Sequence, residues 1–399
     1  MIEYLAKRLS LIVILSASLT ACGSDSAQPA ASTQLTAVQQ LGKAMFFDTN
    51  LSTPSGMACA TCHDPATGFA DPDTRFPVSN GILSNTFGNR NAPSVAYAAF
   101  SPAPYHDPVQ RRGMMMGGLD IGGQFWDGRA ASLAEQAKGP LLNPLEMHNA
   151  DKNMVITTIR NSSYAALFEQ VYGAGSLLPD NVDSAFEHAV EAIAEYEKSR
   201  EVSPFTSKFD YSIAGKVILT DQEALGYSLF TGKANCVNCH AIAPVGPNDP
   251  VQQSYLFTNF AYQNLGVPRN PGNPFYALSI TLNPEGSNYI DYGHGAVTGV
   301  STENGKHKIP SLRNVATTPP YMHNGVFNTL REVVVFDNTR DEKMANWPSP
   351  EVPQNVHRHM PMPDGTCEPN TLGCLKLTDD EVDAIVAFLN TLTDGYRFQ

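Results

Sequence analysis

Four stretches of the chain carry apolar residues at helical spacing. Thr36-x4-Leu41-Gly42-x2-Met45-Phe46 and Thr220-x4-Leu225-Gly226-x2-Leu229-Phe230 repeat one another, each opened by a capping Thr. Thr378 with Glu381 opens another helix, with Val382, Ile385, Val386 and Leu389 on one face. A fourth helix starts at Asp180 and ends near Arg200, burying Val182, Phe186, Ala189, Val190, Ile193 and Tyr196. Alternating strand patterns are scarce. Gly (30) and Pro (29) punctuate the connections, so the pattern predicts a mainly α fold with long irregular loops.

The first 21 residues read as a leader rather than as part of that fold. Lys7 and Arg8 precede an apolar run from Leu9 to Leu19, too short to span a bilayer as a mature helix. Leu19-Thr20-Ala21-Cys22 has the shape of a bacterial lipobox. It predicts cleavage before Cys22 and lipid attachment there; ordinary secretion with an incidental cysteine is the alternative. Residues 22–34 then form a flexible tether. This places the protein in the bacterial cell envelope, on the periplasmic side or at the outer membrane, with membrane contact only through the lipid. No later segment reaches 18 apolar residues. The 399-residue chain is 42% hydrophobic and 16% charged, enough for two domains and too apolar for a disordered chain. A net charge of −13 argues against nucleic acid as a partner.

Cysteine usage carries the chemistry. Besides Cys22, four of the seven cysteines stand in Cys59-Ala-Thr-Cys62-His63 and Cys236-Val-Asn-Cys239-His240. Two thiols three positions apart add to the two vinyl groups of one haem, and the adjacent His ligates the iron. A thioredoxin-type CxxC needs no such His. A zinc site would bring its CxxC pairs within about 15–20 residues, whereas Cys59 and Cys236 are 177 apart. Two covalent c-type haems follow, with His63 and His240 as axial ligands. The repeated helices are then the first helices of two cytochrome c-like domains, 35–215 and 216–399, each around one haem. Cys367 and Cys374, separated by six residues in a loop, read as a disulfide of an oxidising compartment.

The segment between the modules argues for more than electron carriage. Gln124-Phe125-Trp126-Asp127-Gly128-Arg129-Ala130 is followed by Gln136 and, ten residues on across a Gly-Pro break, by Glu146. Trp126 reads either as an electron relay between haems or as a packed core aromatic. Gln136 and Glu146 are positioned to face one pocket. A carboxylate in an apolar haem pocket suits the proton shuttle that peroxide cleavage needs; a Glu on a solvated loop is the bland alternative.

With FWDGRA (125–130), LAEQAKGP (133–140), NPLEM (143–147), IPSLRNV (309–315), TPPYMHNG (318–325) and the closing TLTDG (391–395), the chain resembles the bacterial di-haem cytochrome c peroxidase/MauG superfamily over nearly all of residues 35–399. The resemblance implies a peroxidatic N-terminal haem and a C-terminal electron-transfer haem. It implies Trp126 as the inter-haem tryptophan, and Gln136 and Glu146, with Pro140 nearby, as distal residues. It also implies a calcium ion held by Asn91 and the carbonyls of Thr318 and Pro320, and His323 as the inter-domain histidine. A homodimer is left open.

Departures from the family pattern carry as much weight. Where peroxidases that need reductive activation carry a capping His, 16 residues after His63, this chain has Ser79. The next His is His106, read as structural or exposed, with capping of the iron as its alternative. Met114 to Met116 read as loop packing. The family's sixth ligand to the C-terminal haem falls 14 residues after His323, at Asp337, where relatives carry Met or Tyr. Asp337 is either a direct ligand or a hydrogen-bonded residue beside an iron ligated by another group, such as Met344, His357 or Met360. Three functions are compatible with these residues. One is a peroxidase reducing hydrogen peroxide with electrons from a small cytochrome c or cupredoxin. The second is MauG-like, peroxide-dependent oxidation of Trp or Tyr on a partner protein. The third is a non-catalytic di-haem electron carrier.

Overall fold

The computed structural model describes residues 34–108, 118–242, 255–357 and 366–398. Cys22 and its leader, Met114 to Met116 and Met360 lie outside the described residues. Eleven α-helices occur among those described: α1 (Ala37–Phe46), α2 (Cys59–Cys62), α3 (Leu133–Leu142), α4 (Lys152–Arg160), α5 (Ala165–Tyr172), α6 (Val182–Glu197), α7 (Lys208–Ile213), α8 (Asp221–Thr231), α9 (His294–Thr298), α10 (Leu330–Thr339) and α11 (Asp379–Asn390). The strands are short: β1 (Tyr105–Asp107) pairs antiparallel with β2 (Leu119–Ile121), and β3 (Tyr262–Gln263) with β4 (His307–Lys308).

Capping decides where the long helices begin. Thr36, Thr220 and Thr378 each accept a hydrogen bond from the backbone N–H three residues on, and the side chains of Gln39, Glu223 and Glu381 reciprocate. Helix α6 begins two residues later than its periodicity suggests, because Pro179–Asn181 forms a 3-10 turn ahead of it. The expected break at Gly139-Pro140 does not occur. Helix α3 runs through Pro140 to Leu142 and closes at Asn143. Ala137 and Leu141, on either side of Pro140, are buried, and α3 lies against α6. That packing carries the helix past the hydrogen bond proline cannot donate.

Two apolar cores organise these elements. The first gathers Leu41, Met45 and Phe46 of α1 with Phe186, Ala189, Val190 and Ile193 of α6, and residues of α3 to α5. The second gathers Phe230 of α8, Val334 of α10 and Ile385, Phe388 and Leu389 of α11. Phe209 and Ile213 of α7 pack in the second core while Phe205 belongs to the first. The change of core therefore falls near residue 207, ahead of the expected boundary at 216.

The same helix crossing is built twice. Helix α1 crosses α6, and α8 crosses α11. At the first crossing a Cβ on Gly42 would collide with the Ala192 carbonyl and meet Tyr196. At the second a Cβ on Gly226 would collide with the Ala384 carbonyl and meet Phe388. Position 192 thus corresponds to 384, and 196 to 388. An Ala inside a helix ordinarily stabilises by ~1 kcal/mol over Gly. Here overpacking of ~1–3 kcal/mol reverses the sign. Urea unfolding of the haem-loaded Gly42→Ala protein should show lower stability than wild type; a gain would contradict the crossing geometry.

Candidate active site

Each Cys-x-x-Cys-His motif borders its own cavity. Cys59, Cys62 and His63 line one of about 310 Å³; Cys236, Cys239 and His240 line another of about 350 Å³. In the first motif both cysteines stand on α2; in the second Cys236 opens a 3-10 turn that ends at Asn238 and Cys239 closes it, and all four thiols are free of disulfides. His63 Nδ1 lies 3.2 Å from the Phe69 carbonyl, and His240 Nδ1 lies 2.9 Å from that of Phe257. Donation at Nδ1 selects the tautomer whose Nε2 lone pair is left for a metal. Burial pushes both imidazoles down to about 4, so they are neutral. Paired thiols with a neutral, oriented imidazole at a cavity fit the attachment chemistry of a c-type haem.

The first cavity is also lined by Ser79, Trp126, Arg129, Gln136, Pro140, Glu146 and Glu197. Gln136 and Pro140 come from α3, and Glu146 from the turn that follows it. Asn143 closes α3 and turns the chain back: its side chain accepts from the Leu145 N–H and donates to Glu146 Oε1, both at 2.9 Å. Burial raises the Glu146 carboxyl above its ordinary range, with the Asn143 hydrogen bond and Arg129 opposing. Among the described residues, no histidine other than His63 lines this cavity. His106 stands apart on β1, 59% exposed and 2.7 Å from Asp120. Glu197 escaped the sequence reading, where it falls next to the apolar face of a predicted helix. It is 3% exposed, and its Oε2 has no hydrogen-bond partner.

Trp126 lines both cavities, and Lys308 does too. The indole Nε1–H donates to the Asn91 carbonyl at 2.9 Å, and the Trp126 carbonyl accepts from the Lys308 backbone N–H at 2.7 Å. The Lys308 ammonium is buried, bonded to Ser101 Oγ and the Gly123 carbonyl, and burial pushes it down to about 8. Next to Trp126, Asp127 receives Arg90 at 2.6 Å and Arg129 at 3.0 Å. Arg90 also grips Asp291 with two N–H groups, at 2.6 and 2.7 Å. These guanidinium groups hold both carboxyls below the ordinary carboxylate range.

In the second cavity Asp337, on α10, lines the same space as His240. Its Oδ1 is buried without a hydrogen-bond partner, burial pushes the carboxyl up to about 6, and the thiols of Cys236 and Cys239 are raised by burial first and by the Asp337 charge second. His357 also lines this cavity, whereas Met344 is 57% exposed and does not. His307 and His323 stack there at 3.6 Å and 12°; neither Nε2 makes a hydrogen bond, that of His307 facing Asp291 at 3.5 Å and that of His323 facing Glu351 at 3.8 Å. The in-plane lone pairs of such a parallel stack cannot converge on one ion. The His323 carbonyl accepts from the Asn91 N–H, which ties it to a residue of the first cavity. Asn91, Thr318 and Pro320 all border the first cavity. Cys367 and Cys374 are bonded to each other.

Residues 36–217 match the family model described as di-haem cytochrome c peroxidase. The chain is 38% identical over 404 residues to the methylamine utilization protein MauG of Paracoccus denitrificans, covering 97% of this chain and 95% of that protein. It is 30% identical to the cytochrome c551 peroxidase of Nitrosomonas europaea, covering 89% and 79%. The crystal structure of the diheme peroxidase BthA from Burkholderia thailandensis superposes with a TM-score of 0.76 at 32% identity, covering 92% and 88% of the two chains.

Arg90 is the cation shared by two buried carboxylates. Arg90→Met should cost about 3–5 kcal/mol, since breaking a buried pair leaves uncompensated charge. Chemical denaturation of the holoprotein measures it, and an unchanged midpoint would show that the triad is dispensable.

Proposed function

The chain belongs to the di-haem cytochrome c peroxidase/MauG family, and from that premise we propose that it reduces hydrogen peroxide to water at the first cavity, with electrons arriving through the second. It is an oxidoreductase with peroxide as acceptor, and membership of the family brings two c-type haems. The reaction is H2O2 + 2 e⁻ + 2 H⁺ → 2 H2O. The observation that carries the reading is a half-buried carboxyl of raised proton affinity, Glu146, in the same cavity as Cys59, Cys62 and His63.

The bound haems supply the iron at which peroxide is cleaved and the centres that hold electrons. In the proposed mechanism Glu146 takes the proton from the near peroxide oxygen and returns it to the departing one. Asn143 holds Oε1, and so fixes the direction in which the carboxyl presents its other oxygen. Gln136 orients the bound peroxide. Trp126, at the border of both cavities, carries electrons between them. Asp337, whose Oδ1 is buried without a hydrogen-bond partner in the cavity that His240 also lines, would supply the iron of the second haem with a hard anionic donor, which favours the ferric state. Asn91, Thr318 and Pro320 offer amide and carbonyl oxygens, the donor chemistry of a hard cation, and we assign calcium to them. Two cytochrome c-like domains, exchanging near residue 207, a lipid on Cys22 and a place in the bacterial envelope complete the proposal. The electron donor is a small cytochrome c or cupredoxin. A second reading, peroxide-dependent oxidation of Trp or Tyr on a partner protein, is favoured by the 38% identity to MauG over nearly the whole of both chains.

Pyridine haemochrome and mass spectrometry should find two covalent haems per chain; one would refute the reading at its root. The fully oxidised protein should react with peroxide without prior reduction, because among the described residues the first cavity offers no second histidine to cap the iron. Inertness until reduction would contradict this. With a reduced small cytochrome as donor, Glu146→Gln should lower turnover by roughly 10²–10⁴-fold while both haem spectra stay near native. Turnover near wild type would remove Glu146 from the mechanism.

A further inference from the structure

The two helix crossings share a register, and that register singles out one residue. Ala192 corresponds to Ala384 and Tyr196 to Phe388, from the positions each glycine meets. Ile193 then corresponds to Ile385, at 2% and 1% exposure. The next position facing inward is Glu197 on α6 and Leu389 on α11. Both are buried, Glu197 bordering the first cavity and Leu389 the second. One module thus places an apolar side chain against its haem site where the other places a carboxyl.

Among the described residues that carboxyl has no ion-pair partner. Its Oε2 is buried and makes no hydrogen bond, and its charge is felt at Cys59. Burial pushes it up to about 8, with only Lys198 of its own helix opposing. Around it, α2 contributes Cys59, which becomes a thioether when haem is attached. Helix α6 itself contributes Tyr196 and Lys198, and the shelf after α3 contributes Glu146, whose charge also reaches Cys59. The charges of α1, α3 and α4 are tied up at the surface: Lys43 with Glu201, Lys138 with Glu135 and Glu187, Lys152 with Asp183. Tyr97, at the start of the turn packed on α6, is bound to Asp394 and Arg313. Among the described residues no fixed cation pairs with Glu197, and no donor holds its Oε2.

We propose that Glu197 is the charge-compensating proton site of the first haem, taking up a proton when that haem gains an electron and releasing it when the electron leaves. The inference rests on the first cavity being a haem site. The step balances as ferric haem, carboxylate, one electron and one proton going to ferrous haem and carboxylic acid, with the electron from the donor protein or an added reductant. A haem that loses a positive charge holds a neighbouring carboxylate less well, so reduction raises its proton affinity. At the corresponding position the second module has Leu389 and no carboxyl; the carboxyls of its cavity, Asp291, Asp337 and Glu351, come from other segments.

Spectroelectrochemical titration of the holoprotein between pH 6 and 9 tests this, with two haems first verified by pyridine haemochrome. The reduction equilibrium of the first haem should fall up to tenfold per pH unit, ~59 mV for one electron. Glu197→Gln, close in shape, and Glu197→Leu, the residue of the second module, should both remove the slope. Glu146→Gln should keep it. A wild-type potential that does not move with pH overturns the proposal, as does a slope that survives in Glu197→Gln. Absence of haem would instead defeat the reading of the cavity.

Discussion

The arrangement depends on one buried guanidinium. Arg90 spends its donors on Asp127 and Asp291, carboxylates that arrive from segments 37 and 201 residues away. Removing three charges from water is costly, and only close, fully hydrogen-bonded geometry offsets it. The spacing is therefore tightly specified. Asp127 is the neighbour of Trp126, and Asn91, the neighbour of Arg90, accepts from the indole. Fixing Arg90 fixes the tryptophan from both sides. The same seam orders the start of the second cavity, because Asp291 lines it along with Trp126.

From that seam outward, the molecule repeats a unit and then differentiates it. Both copies have a capped first helix, a glycine where it crosses the closing helix, a CxxCH turn and an imidazole oriented by a backbone carbonyl. The differences lie in what else reaches the cavities. The first receives two carboxyls, Glu146 and Glu197, and a glutamine. The second receives Asp337, Asp291 and Glu351 and a stacked histidine pair. Buried carboxyls without a cation have high proton affinity. Those of the first cavity suit proton transfer, while in the second the unpartnered Oδ1 of Asp337 suits a ligand and Glu351 Oε2 faces His323 at 3.8 Å. A peroxidase needs that division, with protons where oxygen is cleaved and a stable redox centre where electrons enter.

Much of this was legible in the sequence because it is local. Capping boxes span four residues, and the CxxCH motifs carry their chemistry within five; Thr36, Thr220, Thr378, Cys59 and Cys236 needed no tertiary information. The Gly-Pro break failed because a local rule was overridden by packing: Ala137 and Leu141 hold α3 together across Pro140. Arg90, Glu197 and the crossing glycines were illegible for a related reason. Their roles are set by partners far along the chain, and a Glu beside a helix's apolar face looks like a solvated one until its cavity is known. The position of α6 as the partner of α1 was likewise invisible, since nothing in its periodicity names the helix it packs on.

The central claim is that the two sites act as one device joined at Trp126. The most direct measurement is the rate of intramolecular electron transfer between the two haems, followed by transient absorption after pulsed reduction, in wild-type and Trp126→Phe holoprotein. The account predicts slower transfer in the variant, with both haem spectra and both potentials unchanged. An unchanged rate, with the indole gone and the haems intact, would contradict it.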